Sequence, residues 1–189
     1  PDQLIKAICL EYGLQVRGLD QVEMMAELNA FLLQQLANGR DTVLLIDEAQ
    51  DMTNELLEQV RLLSNLEADD RKLLQIVLMG QPELRDRLNA HSLRQLRQRI
   101  TVRYHLEPLT KTEVGRYIQH RLQVSGANGS PYFTSPGLWR LYRYTKGIPR
   151  LVNALSDKCL LAAFVQQTDR IDYGIVGRAI NELEGKINV

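Results

Sequence analysis

The sequence predicts an α/β layer built on a parallel sheet, followed by a small all-helical domain. Two short apolar runs, Val43 to Ile46 and Leu73 to Met79, both end abruptly, the first in Asp47-Glu48 and the second in Gly80-Gln81. Between them, Thr53 to Leu66 carries Leu56, Val60 and Leu63 at helical spacing. Strand, helix, strand in that order implies a right-handed crossover and parallel neighbours. Beyond Glu107-Pro108-Leu109 no strand pattern recurs, which divides the chain into an α/β core over residues 1–107 and a helical domain over residues 108–189.

The elements follow in order. Asp2 to Tyr12 has apolar positions at Leu4, Ala7 and Ile8 and a stop at Gly13, and reads as a helix. Asp20 with Glu23 makes a capping box for a longer helix whose face carries Val22, Met25, Leu28, Leu32 and Leu36, with Gly39 closing it. Thr42 to Ile46 then reads as a strand buried on both faces, because its apolar run does not alternate. The polar knot Glu67 to Lys72 returns the chain to the second strand. Pro82 starts a helix at its favoured first position, and the Arg-rich piece His91 to Gln98 leads to a third candidate strand, Ile100 to Leu106. In the second domain Thr110 with Glu113 caps a helix bearing Val114, Tyr117, Ile118 and Leu122, and Asn128 to Pro131 makes a turn. Further helices start at Ser135-Pro136 (Leu138, Leu141, Tyr142), at Pro149 (Leu151, Leu155, Phe164) and at Asp172 (Val176, Ile180, Leu183).

The 44% hydrophobic, 24% charged composition is that of an ordinary soluble globular chain. The longest apolar stretch, Cys159 to Val165, is far short of the ~20 residues that span a bilayer, and no charged-then-apolar leader is present. Two cysteines, Cys9 and Cys159, both in helix-like patterns, argue against a disulfide framework and for a reducing, cytoplasmic setting. The formal net charge of +0 hides a segregation. Residues 1–84 hold 6 Lys/Arg and 15 Asp/Glu, a net of −9, while residues 85–189 hold 17 and 8, a net of +9. Opposite halves can attract within one molecule, or between copies in a ring or filament. No aromatic-interleaved basic tract supports nucleic-acid binding.

Asp47 and Glu48 carry the chemistry. In open parallel sheets ligands bind just outside the carboxyl ends of the strands, and two adjacent carboxylates there form the hhhhDE pattern of a Walker B element: the first organises Mg²⁺, the second polarises the attacking water. The same pair also reads as acids at the positive end of a helix, and the run alone does not choose. The histidines, His91, His105 and His120, lack metal-ligand spacing and read as structural or surface residues. Arg94, Arg103, Arg140 and Arg143 read as solvated charges, and Trp139, beside Leu138 and Leu141, as a packing residue.

The order TVLLIDEAQ, LLQIVLMGQPEL, LRQLRQRI, GIPRLVNAL resembles the AAA+ ATPases, specifically the ExeA/GspA type of bacterial type II secretion and its relatives in MSHA-type pilus biogenesis. The longer runs LEQVRLLSNLEADDRKLLQIVLMGQPELRDRL and LRQLRQRITVRYHLEPL carry the likeness, which extends from about Ala37 to about Leu183. The resemblance implies a partial P-loop NTPase sheet followed by a helical lid. It implies that Asp47 organises Mg²⁺, Glu48 activates water, Gln81 is the sensor-1 residue and Arg99 the arginine finger, with Arg97 as the other candidate. Arg150 matches sensor 2. The family commonly has Asn or Thr at sensor 1, so Gln81 departs from it.

A larger departure is that no G-x-x-x-x-G-K-[ST] occurs in these residues. The expectation is therefore of an AAA+ module truncated before its phosphate loop and first strand, whose intact form binds ATP and Mg²⁺ and whose present residues bind ATP weakly and do not hydrolyse it. That missing strand would lie between Leu73–Met79 and Ile100–Leu106, so the sheet should show a gap, a re-paired edge or filling by another chain. The resemblance further implies a homo-oligomeric ring or filament, a membrane-anchored secretion or pilus partner, and a cytoplasmic location at the inner face of the inner membrane through that partner. Two other readings remain: a DNA-binding AAA+ regulator of transposition, against which the spread of positive charge argues, and a non-catalytic interaction scaffold.

Overall fold

A computed structural model describes residues 2–68 and 71–186, and the chain divides into two compact units, residues 1–103 and 104–189.

In the first unit, α1 (Asp2–Glu11) and α2 (Gln21–Ala37) precede β1 (Thr42–Ile46). The α2 capping box is closed in both directions, the Asp20 carboxylate accepting from the Glu23 N–H at 2.9 Å and Glu23 accepting from the Asp20 N–H at 2.8 Å. α3 (Asn54–Leu63) starts at Thr53, whose hydroxyl accepts from the Leu56 N–H. A short antiparallel pair, β2 (Glu67–Ala68) and β3 (Arg71–Lys72), takes the place of the polar knot; Asp69 and Asp70 lie outside the described residues. β4 (Leu74–Leu78) runs parallel to β1 in the register Thr42 to Leu74 through Ile46 to Leu78. α4 (Pro82–Leu88) begins at its proline, and α5 (Arg94–Arg99) follows a single turn of 3-10 helix at His91–Leu93.

The β1–β4 pair buries one face. Leu44, Leu74 and Ile76 pack with Ile5, Ile8, Leu28 and Leu32 of α1 and α2, and Ile46, Ile76 and Leu78 pack with Leu57, Val60, Leu93 and Leu96. The other face corrects the expectation of a strand covered on both sides, because Val43 and Leu45 are 45% and 62% exposed and Val77 and Met79 are 42% exposed. The apolar run records what the strand can bury, whereas burial also needs a covering layer. Leu28 and Leu32 of the expected α2 face are buried, but Val22 is exposed and Met24 is the buried residue of the first turns.

Ile100 to Leu106 is not a strand. The segment has no ladder partner among the described residues, and Val102, Tyr104 and Leu106 are each 80% exposed or more. Its alternation fits a sheet position, but a strand is held by its neighbour's hydrogen bonds and side chains. No described strand pairs with the edge of β4 away from β1.

The second unit packs four helices, α6 (Lys111–Val124), α7 (Ser135–Thr145), α8 (Pro149–Val165) and α9 (Tyr173–Leu183), around Val114, Ile118, Leu141, Val152, Leu155, Cys159, Ile171 and Val176. Two short parallel strands, β5 (Tyr132–Phe133) and β6 (Arg170–Ile171), add a piece of sheet that no sequence pattern announced. Gly147 lies at φ +79°, and a Cβ there would sit 1.9 Å from the Leu109 carbonyl oxygen, so only glycine permits the approach. Leu151 and Phe164, expected on the inner stripe of α8, are exposed. Arg140 is not a free solvated charge: its guanidinium lies 4.2 Å over the Tyr173 ring and donates to the Tyr173 carbonyl at 3.0 Å. Arg143 covers Trp139, which stacks on Tyr173.

Candidate functional site

β1 and β4 end side by side because they are parallel and in register, so the residues following each strand meet at one end of the sheet. The Met79 N–H donates to the Ile46 carbonyl and the Ala49 N–H to the Met79 carbonyl, both at 2.8 Å, tying the two exits together. Asp47 and Glu48 leave β1 there, and Gly80 and Gln81 leave β4.

Glu48 adopts the left-handed conformation (φ 51°, ψ 36°), which costs a residue bearing a Cβ about 1–3 kcal/mol. Asp47 offsets part of this by accepting the Glu48 N–H through Oδ1 at 2.8 Å. The kink directs the chain into a 3-10 turn, Ala49–Asp51, whose Ala49 is fully buried. The two carboxylates themselves stay exposed, which avoids the cost of burying adjacent charges.

Glu48 Oε2 accepts from Gln50 Nε2 at 2.6 Å and lies 3.4 Å from Gln81 Nε2. Gln50 Oε1 in turn accepts the Gln81 backbone N–H at 3.0 Å. Arg87, on α4, donates to the Gln50 carbonyl and to Asn54 Oδ1, the latter at 3.1 Å. Gly80 leaves room for the bridge, since a Cβ there would come within 2.7 Å of Gln50 Oε1. Asp47, Glu48 and Gln81 thus come together as the sequence places them. Gln50 and Arg87 were missed. The Gln in IDEAQ was the available signal, but its role depends on a partner 31 residues away.

Arg99, at the last position of α5, pairs with Glu67 at 3.8 Å, and Glu67 also holds Lys72. The Arg97 carbonyl accepts from Arg103 at 3.2 Å. Arg150 belongs to the second unit, exposed in the first turn of α8. Among the described residues no group of three or more His, Cys, Asp or Glu side chains could hold a metal ion by itself. No helix among them is long and apolar enough to cross a membrane.

Residues 1–88 match an AAA domain family. Over 183 residues, 96% of this chain, the sequence is 45% identical to General secretion pathway protein A of Aeromonas hydrophila, and the match spans 33% of that protein's length. The ORC2 protein of Aeropyrum pernix, in its ADPNP-ADP complexes, is structurally similar over 94% of this chain and 48% of its own, with a TM-score of 0.66 at 16% identity. The RuvB Holliday junction branch migration motor of Thermotoga maritima matches over 82% of this chain and 49% of its own, with a TM-score of 0.60 at 18% identity. The chain therefore shares the α/β fold of these AAA+ structures, and its sequence is similar to General secretion pathway protein A across a third of that protein's length.

Proposed function

We propose that residues 1–103 supply the Walker B half of an ATP-hydrolysing site, completed in the full-length protein by a phosphate-binding loop that these 189 residues do not contain. The observation that carries this is the convergence of Asp47, Glu48 and Gln81 at the carboxyl ends of two adjacent parallel strands, with Glu48 and Gln81 within 3.4 Å. In this reading Glu48 accepts a proton from the attacking water while Gln81 contacts the γ-phosphate or that water. Asp47 fits Mg²⁺, because Oδ1 is occupied by the Glu48 N–H and Oδ2 offers a hard oxygen. One or two carboxylates, completed by phosphate and water, is the donor set Mg²⁺ takes. The bound ion would neutralise charge on the phosphate oxygens.

Arg99 is the proposed finger for a neighbouring subunit, where a planar guanidinium matches phosphate oxygens, and Arg97 is the second candidate. Arg150 is the proposed sensor 2 of a lid spanning residues 108–189. The segregated charge, −9 over residues 1–84 and +9 over residues 85–189, favours head-to-tail association of copies. Likeness to a general secretion pathway protein supports a motor for an envelope machine of secretion or pilus assembly, acting in the cytoplasm beside a membrane-anchored partner.

The test is Glu48→Gln in the full-length protein, which should bind ATP as before and turn over at least about 100-fold more slowly. Unchanged turnover would overturn the assignment. Residues 1–189 alone should show no more than weak binding in calorimetric titration with Mg-ATP and no phosphate release, because two carboxylates repel a polyanion without a cradle of backbone N–H groups and a lysine. Micromolar binding by this chain would show that the cradle is dispensable.

A further inference from the structure

Gln50 has no part in the roles assigned so far, yet its side chain bonds Glu48 on the exit of β1 and Gln81 on the exit of β4. Its amide is used in both directions. Nε2 donates to Glu48 Oε2 at 2.6 Å, and Oε1 accepts the Gln81 N–H at 3.0 Å. The backbone is shaped around it from both sides. Arg87 holds the Gln50 carbonyl, and Gly80 withholds a Cβ that would lie 2.7 Å from Oε1 and 3.3 Å from the Gln50 nitrogen. Glu48 itself sits in the left-handed conformation on an exposed turn, where a carboxylate without a tether would sample several rotamers.

We propose that Gln50 is a positioning residue that couples the Glu48 carboxylate to the β4–α4 turn carrying Gln81. This rests on the reading of Glu48 as the group that activates water. Tying Oε2 to the Gln50 amide leaves Oε1 to accept from the attacking water. The second half of the amide links the Gln81 backbone to the same unit, so the position of one group sets that of the other. A nucleotide that draws Gln81 toward its γ-phosphate pulls on the turn to which Glu48 is tethered. In this role Gln50 acts through the geometry of Glu48, and Glu48 acts on the water.

The experiment compares kcat and the KM for ATP in the full-length protein for Gln50→Ala, Gln50→Glu, Gln81→Ala, the Gln50→Ala/Gln81→Ala pair and Glu48→Gln. Gln50→Ala should lower kcat about 10- to 100-fold, the scale of a misplaced catalytic group, with KM changed less than about threefold. Gln50→Glu has nearly the same shape and keeps the acceptor for the Gln81 N–H, but it cannot donate to Glu48 when ionised. It should retain the thermal midpoint and show a comparable fall in kcat. The Gln50→Ala/Gln81→Ala pair should lose less than the product of the single losses, since residues acting as a unit are non-additive. Full kcat in Gln50→Glu, or a pair whose losses multiply, would overturn the coupling while Glu48→Gln still abolished turnover. If Glu48→Gln kept its turnover, the catalytic reading and this proposal would fall together.

Discussion

A methyl group at Gly80 would displace the Gln50 side-chain oxygen, 2.7 Å from the position it would take, and press on Leu84 Cδ2 and the Gln50 nitrogen at 3.1 and 3.3 Å. Gly80→Ala is expected to lower stability by about 1–3 kcal/mol in urea unfolding, the range of an overpacked site. Part of that loss should return in Gly80→Ala/Gln50→Ala, where the nearest clash is removed. The cysteines make a second prediction. Burial raises both thiols above their ordinary value, Cys159 to about 12, so both remain protonated at neutral pH and shielded from reagents. Native protein should titrate slowly with a thiol reagent, and denatured protein should titrate two thiols at once.

Helix starts were the most legible elements, because a cap and its partner lie within four residues. The Asp20–Glu23 and Thr110–Glu113 boxes both close as their spacing requires. Thr134 adds what spacing cannot show: its hydroxyl accepts the Gly137 N–H at 3.2 Å and donates to the Ile171 carbonyl at 3.3 Å, joining α7 to β6. Thr134→Ala should cost about 1–2 kcal/mol in thermal or urea unfolding, a cap and a tertiary bond together. Asp172 caps α9 with the Ile175 N–H, and that hydrogen bond, with smaller help from Gly174, Arg170 and Arg178, holds its carboxyl below the ordinary 3.8. A lowered folded value means that the ionised cap stabilises the protein above pH 3.8 and that this contribution is lost as pH falls through the lower folded value. The stability difference between the protein and Asp172→Asn should therefore narrow on acidification below about pH 4; a constant difference from pH 6 to pH 2 would contradict the cap's role.

Among the described residues, the hydrophobic clusters around Leu28 and Leu57 belong to residues 1–103 and the one around Leu155 to residues 104–189. Leu28→Ala and Leu155→Ala both empty a fully buried position and should cost about 2–5 kcal/mol each. Hydrogen exchange resolved by peptide should show lost protection in the unit that carries the substitution and little change in the other. Leu45, by contrast, lies on the open face of the sheet. Leu45→Thr in residues 1–189 should leave the urea midpoint nearly unchanged, within the ±0.5 kcal/mol typical of surface positions, and lower the binding of an apolar dye.

The sequence by itself determined the parallel strand pair, the helix starts and the carboxylates at the end of β1, because each is written in neighbouring residues or in one short period. Only the tertiary structure decided which faces are covered and which polar groups meet. Val43, Leu45 and the alternating residues of Ile100 to Leu106 carry sheet-like patterns, yet their burial depends on partners that local pattern does not contain. Gln50 shows the same limit in the site. Its reach to Gln81 follows from the β1–β4 register and from the missing side chain at Gly80, both of which exist only when the strands lie side by side.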